Sequence, residues 1–268
     1  NRDVVAFSGF VERILESPSK RAKIRANDDF ISPKCLSGLR LVRDNAIYED
    51  DNLLVIDKPY GLAVQGGTGI DLSLDKILKN LSSGEEKLRL VHRLDRYTTG
   101  VLIIAKNMTT AKRLAKIFKR RENLRKEYLL VAWGHIHRDS GLIDYPLTKK
   151  YENNLEKVYV DRLGGQEALT SYRTLSYSSS YDLSFVKAEI ITGRTHQIRV
   201  HFEGIGSPLL GDFKYGREDG KTLTSKLQLH SYRTTLNLFG REHVFVAEIP
   251  RHMEKVLDRV FPNWRELL

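Results

Sequence analysis

Cysteine is almost absent. Cys35 is the only one in 268 residues, which excludes a disulfide framework and any zinc site built on thiolates. That usage fits a reducing, intracellular compartment, either the cytoplasm or a mitochondrial or other organellar matrix. No apolar run approaches the ~20 residues that a membrane-spanning helix needs, so no membrane partner is expected. The first ten residues lack the charged-then-apolar profile of a secretory signal. The chain opens on Asn1 and not on Met; an upstream segment is expected to have been removed, and an organellar transit peptide is one that fits. Internal repeats and low-complexity tracts are also missing. So are HExxH, a Walker loop, GxGxxG after a strand and GxSxG, and with them the usual marks of zinc hydrolysis, nucleotide cofactors and a serine nucleophile elbow. The pairs His135 with His137 and His196 with His201 lack a third ligand, so no metal site and no cofactor are expected.

What the chain has in excess is positive charge. Lysine and arginine outnumber aspartate and glutamate by 44 to 34, for a net charge of +10. A polyanionic partner is the simplest reading. The length is ample for a sizeable core. Residues 1–45 form a polar, basic lead-in of weak periodicity, with its charge run at 19–25, and are expected to wrap on a main domain spanning 46–268. Strands are predicted at Leu53–Asp57, Val101–Ala105, Glu127–Gly134, Thr170–Tyr177 and Leu183–Ile191, the last two as a pair. A closing hairpin is predicted from 227–238 and 243–249 around Gly240, and another within 136–166 turning at Gly164-Gly165. Helices are expected over Leu72–Leu81, Thr109–Arg121, Thr195–Glu203 and Arg251–Val260. In the second, Ala111, Leu114, Ala115 and Phe118 share one face. Strands outnumber helices without βαβ alternation, so the fold class is α+β with a mixed, largely antiparallel sheet flanked by helices.

The most informative stretch is His92-Arg93-Leu94-Asp95-Arg96-Tyr97-Thr98-Thr99-Gly100. It holds one carboxylate between two arginines and runs straight into an apolar strand. It closely resembles the HRLDxxTSG signature of the RluA-type pseudouridine synthases, with Thr99 in place of Ser. The segment from Thr192 to His201 resembles the same family's TGRTHQIRVH at every position. Lys126-Glu127-Tyr128, whose Tyr lies 33 positions after Asp95, resembles its KxY motif. Gly206 to Gly216 resembles its GxPxxGDxxYG loop and reads as scaffold. Leu229-His230-Ser231 is similar to its LHA. Asp57 to Gly67 resembles its NKPxGxxVHxG loop, with Gln65 where a His is usual. The resemblance runs from about Leu53 to Ile249.

The resemblance implies a pseudouridine synthase-like catalytic domain and the isomerisation of uridine in RNA. Asp95 is then the nucleophile, Tyr128 the residue beside the target base, and Arg199 the cation that pairs with Asp95. Arg199 also borders the apolar face of the predicted helix, where its fork can hold a carboxylate by two hydrogen bonds. Arg93, Arg96 and Lys58 are expected RNA contacts, structural ion pairs being an equal alternative for the two arginines. Arg194 and His196 can contact RNA phosphate or cap local backbone. Large-subunit rRNA is the expected substrate, with tRNA as the alternative and pre-ribosomal particle proteins as further partners. A different class also fits these motifs: an RNA-binding ribosome-assembly factor that keeps the fold without requiring catalysis.

Overall fold

The computed structural model describes residues 33–67, 70, 72–81, 87–152, 155–217 and 223–268. The basic run at 19–25 and Gly69 of the glycine loop lie outside them. The chain divides into two compact units. One takes the residues up to Arg96 together with Leu102–Lys119, and the other Tyr97–Val101 together with Arg120–Leu268.

In the first unit a helix, α1 (Pro33–Asp44), leads into strands β1 (Ala46–Glu49) and β2 (Leu53–Lys58). The lead-in shows only weak periodicity in the sequence, and no helix is predicted in it. Its signals are terminal and not periodic: Pro33 sits at the first helical position, where its missing N–H costs nothing. At the other end the Asn45 amide donates to the Leu41 carbonyl at 2.7 Å. Leu53 to Ile56 are wholly buried, as a continuous apolar run requires of a strand covered on both faces. Pro59, lacking an N–H, stops it. Helix α2 (Leu74–Leu81) buries Leu74, Ile77 and Leu78, the i, i+3, i+4 face. Strand β3 (Arg89–Leu90) pairs antiparallel with β4 (Thr99–Ala105), whose seven residues are all buried. Helix α3 (Met108–Arg120) starts at Asn107, whose side-chain oxygen accepts the Thr110 N–H at 2.8 Å, an N-cap. Its buried stripe is narrower than the sequence suggested: Ala111 and Leu114 are covered, Ala115 is exposed.

The second unit is built on β5 (Leu124–Trp133). Around it lie β6 (Ser140–Ile143), β9 (Thr170–Ser178), β10 (Leu183–Ile190), β11 (Leu229–Leu238) and β12 (Arg241–Val246). Starting from the first residues of β4 the order is β4-β11-β5-β10-β9-β6, with β12 on the end of β11. β4 and β11 are parallel at Thr99–His230 and Gly100–Ser231; the other pairings are antiparallel. This is the mixed, largely antiparallel sheet expected. β11 and β12 turn at Phe239-Gly240, both at positive φ, as a two-residue hairpin matched to strand twist demands. β7 (Leu147–Glu152) and β8 (Leu155–Val160) form a separate antiparallel pair. That hairpin pairs Leu147–Glu152 with Leu155–Val160 and does not turn at Gly164-Gly165. The two glycines instead follow β8 in a tight turn organised by Asp161, whose carboxylate accepts the N–H groups of Leu163 and Gly164.

Alternation along β5 separates two faces. Leu129 and Val131 pack with Leu183 and Phe185 beneath helix α5 (Arg251–Val260), through Met253, Val256 and Leu257. Tyr128 points to the other face. Helix α4 (Gln197–Gly204) seats Val200 against Leu147, Val158, Ala168 and Tyr215.

Gly100 is where sequence and sheet geometry meet most tightly. Its φ is +108°, and a Cβ there would lie 2.2 Å from the Ser231 carbonyl oxygen. No L side chain fits without parting β4 from β11. Gly100→Ala is expected to lower stability by more than about 3 kcal/mol, read as a fall in the urea midpoint; a shift of a few tenths would contradict the geometry.

Candidate active site

The segment from His92 to Thr98 alternates between anchoring and presenting side chains. The His92 ring stacks on Phe118 at 4.5 Å, and its Nε2 accepts the Ile103 N–H at 2.8 Å, tying the loop to β4. Leu94 is buried, Arg93 and Arg96 are exposed, and Asp95 is partly exposed. Arg93 reaches the Gln65 side-chain oxygen at 3.0 Å and Arg96 the Gly61 carbonyl at 3.1 Å. The Gly61 N–H in turn donates to the Arg96 carbonyl at 3.1 Å. Gly61 is at φ +85°, a turn conformation natural to glycine. The two loops are therefore clasped backbone to backbone beside Asp95.

Lys58 completes the clasp. It was expected at the RNA surface, but the structure buries it entirely. Its Nζ donates to the carbonyls of Pro59, Leu62 and Arg96 at 3.0, 2.9 and 3.1 Å. Burial pulls its pKa from 10.5 to about 7, against the opposing pull of the Asp95 and Asp57 carboxylates. Only the ammonium carries three N–H groups for three carbonyls, so this bonding pattern selects the charged form. Lys58 is a buried positive post under the Asp95 loop and not an RNA contact.

The other predicted residues lie in the second unit. Tyr128 is 5% exposed, opposite Ser231 on β11 and Ala188 on β10. Arg199 is buried on α4, as its place beside the apolar face implied. Its Nε and Nη2 donate to the two oxygens of Asp212 at 2.7 and 2.8 Å, and its guanidinium lies 4.9 Å from the Tyr215 ring centroid. Burial alone would raise the Asp212 carboxyl. Arg199 and the N–H groups of Lys214 and Tyr215 outweigh that and hold it below the usual carboxylate range. Asp212 is the residue that reading GxPxxGDxxYG as scaffold missed; its signal was the lone acid inside a glycine-bounded loop. Arg194 donates to the Glu167 carbonyl at 2.9 Å. His196, left-handed at φ 54°, shares a 2.8 Å hydrogen bond with the Tyr215 hydroxyl. Arg194 thus meets backbone, whereas His196 meets a side chain.

Gln197 was also not singled out. Its side-chain oxygen accepts from the Thr192 hydroxyl at 2.6 Å and the Arg194 N–H at 3.0 Å. Its amide donates to the Leu169 carbonyl and the Thr170 hydroxyl, both at 2.9 Å. It thus fixes the turn that launches α4. The hydroxyl kept by the Thr99 replacement lies 2.9 Å from His230 Nδ1. Burial drives His230 down to about 4, so at neutral pH it is an uncharged strut between β4 and β12's outgoing segment, where its Nε2 is 3.5 Å from the Ala247 carbonyl. Among the described residues no group of three or more His, Cys, Asp or Glu could hold a metal ion.

Comparison with known proteins bears on this arrangement. A family model described as RNA pseudouridylate synthase matches residues 52–204. The chain is 36% identical over 219 residues to a ribosomal large subunit pseudouridine synthase C of Rickettsia bellii, covering 81% of this chain and 72% of that protein. It is 35% identical over 186 residues to a dual-specificity RNA pseudouridine synthase RluA of Yersinia pestis, covering 69% and 88%. Among solved structures, human RNA pseudouridylate synthase domain containing 4 superposes with a TM-score of 0.70 at 27% identity, over 84% of this chain and 96% of that one.

Two outcomes follow from the buried charges. His230 has a folded pKa near 4 against 6.5 unfolded, so its contribution is complete above pH 6.5 and is lost as pH falls through 4. Burial lowers His201 and His252 in the same sense. Unfolding free energy should drop by about 3 kcal/mol from His230 alone across that window, and His230→Asn should flatten the slope; equal slopes would refute the assignment. Asp212→Asn leaves the buried Arg199 without its counter-charge and should cost about 3 kcal/mol in urea unfolding at pH 7.

Proposed function

This chain belongs to the RluA-type pseudouridine synthases, and from that premise we propose that it converts uridine in large-subunit ribosomal RNA to pseudouridine with Asp95 as the nucleophile. In this isomerisation the N1–C1′ bond of the nucleotide breaks, the uracil turns in place, and a bond from C5 to C1′ forms. The proton on C5 leaves and the freed N1 ends protonated. Nothing is oxidised or reduced and no outside group is donated. A base inside a helix must first leave its stack, at a cost of a few kcal/mol that pocket contacts offset.

One observation supports this reading above the others: the clasp that holds Asp95. Leu94 is buried, Lys58 takes the Arg96 carbonyl from below, and Gly61 and Arg96 bond reciprocally. Such a loop keeps a partly exposed carboxylate in one position between two exposed guanidinium groups, which suits a reacting group that must meet a ribose inside a polyanion. Two routes are open to the carboxylate: addition at C1′, or removal of the C2′ proton to leave a glycal. Both require it charged and held still. Tyr128, nearly buried on the face of β5 away from α5, offers an aromatic surface for a uracil and a hydroxyl to relay the C5 proton. Arg199, the cation that the resemblance pairs with the nucleophile, has its geometry fixed by Asp212. Arg93 and Arg96 meet the RNA backbone. The ribosomal assignment rests on the relatives whose names carry it.

The test is release of tritium from RNA labelled at uracil C5, using total RNA from cells that lack the enzyme. Wild type should release it, and Asp95→Ala should lower the rate by about a thousandfold or more with RNA binding retained. Release undiminished in the variant, or none from wild type, would sink the proposal. Mapping the modified uridine then separates a ribosomal from a tRNA target.

A further inference from the structure

The second unit contains a cationic cavity that none of the chemistry above uses. It has a volume of about 590 Å³ and lies between residues 223–226 and the first two and a half turns of α5. Arg251, His252, Lys255 and Arg259 line it from the helix and Lys226 from the loop.

The helix explains why these charges face the cavity. Arg251, Lys255 and Arg259 recur at i, i+4 and i+8, so they form one stripe spanning about 12 Å. Like charges at that spacing repel one another. The helix does have acids, Glu254 and Asp258, but both are already bonded to Arg265 at 2.7 Å. Asp258 also accepts the Trp264 indole N–H at 2.9 Å. The anionic stripe is thus neutralised from the C-terminal segment. Arg251 and Lys255 are exposed and make no ion pair among the described residues. Arg259 leans on the Tyr181 ring and hydroxyl. The cavity also lies at the amino end of α5, where Pro250 supplies no side-chain cap and the helix dipole is positive. Burial, with help from Lys226, keeps His252 below its ordinary pKa. It is a neutral hydrogen-bonding group among cations.

We propose that this cavity binds the phosphate backbone of the substrate RNA at a segment away from the modified uridine. The inference rests on the RNA-modifying function above. A small anion would need two of these cations; a row of three together with Lys226 suits a strand that carries a phosphate at every nucleotide. Its position defines its role. α5 packs on the Leu129 and Val131 side of β5, whereas Tyr128 occupies the other face. RNA engaged at Tyr128 therefore meets the cavity only through flanking nucleotides, which adds affinity and orientation and not chemistry. The loop that lines the cavity is nevertheless packed close to the Arg199 pair in the chain: a Cβ on Gly211, next to Asp212, would lie 2.1 Å from the Lys226 carbonyl.

The experiment compares the full chain with Arg251→Gln/Lys255→Gln, both solvent-exposed substitutions, and with Arg138→Gln/Arg241→Gln, which removes the same charge elsewhere. Affinity for a labelled RNA of roughly 30 nucleotides, long enough to give several phosphate contacts, is followed by anisotropy across a salt series. The cavity variant should bind about fivefold or more weakly, and its slope of log K against log salt should shrink by about 1.4, the value for two phosphate contacts on a single strand. Its KM for tritium release should rise by the same factor with kcat unchanged. The control pair should change each quantity little. Equal behaviour of the two variants, or a cavity variant indistinguishable from wild type, would overturn the proposal. Should wild type release no tritium while the cavity variant alone loses RNA affinity, the phosphate site stands and the catalytic reading fails.

Discussion

A buried ammonium governs the arrangement around Asp95. An isolated charge taken out of water is among the costliest events in folding, and Lys58 is tolerated because three carbonyls surround its three protons. Each of those carbonyls belongs to a loop: two to the segment leaving β2 and one to the segment leading into β4. The side chain can satisfy itself only when both loops are in place. Folding of one therefore constrains the other, and the carboxylate next to Arg96 inherits a fixed backbone without having to make that contact itself.

The second unit solves a similar problem in a different way. Arg199 is also a buried cation, but it is met by a carboxylate through two hydrogen bonds and by the face of Tyr215. Asp212 is held in turn by two backbone N–H groups, and Tyr215 accepts the Val158 N–H and bonds His196. One ion pair thus connects α4, the 206–216 loop and β8. In both units the charged residue is an organiser of backbone first, and the chemistry assigned to its neighbours depends on that order.

The sequence was most legible where local pattern and burial agree. α5 runs from Arg251 to Val260 as read, because its apolar positions recur every three to four residues. The β11–β12 hairpin turns at Gly240 because only a positive-φ pair matches the strand twist. α1 was not found because its evidence lies in Pro33 and Asn45, at its ends, and not in a regular stripe. The β7–β8 turn was placed at Gly164-Gly165 because glycine pairs mark turns, but here they mark the turn after the hairpin. Lys58 was the sharpest miss. Sequence pattern treats lysine as a surface residue, and the ring of carbonyls that permits its burial is assembled from loops far apart in the chain. Asp212 was passed over for a related reason: a buried salt bridge 13 residues long leaves no periodic trace.

The parallel contact of β4 with β11 has a consequence for how the protein is made. Thr99 and His230, which share a hydrogen bond, are 131 residues apart, and the only conformation that suits Gly100 is defined by the Ser231 backbone it lies against. During synthesis the stretch after Asp95 leaves the ribosome long before the strand that explains its glycine exists. Closing so long a loop is slow, and until it closes β4 presents unpaired N–H and C=O groups along one edge. The nascent chain must spend that interval with the first residues of its most apolar strand lacking their β11 partner, so the same pairing that shapes the segment after Asp95 also makes early synthesis the period of greatest exposure to misassembly.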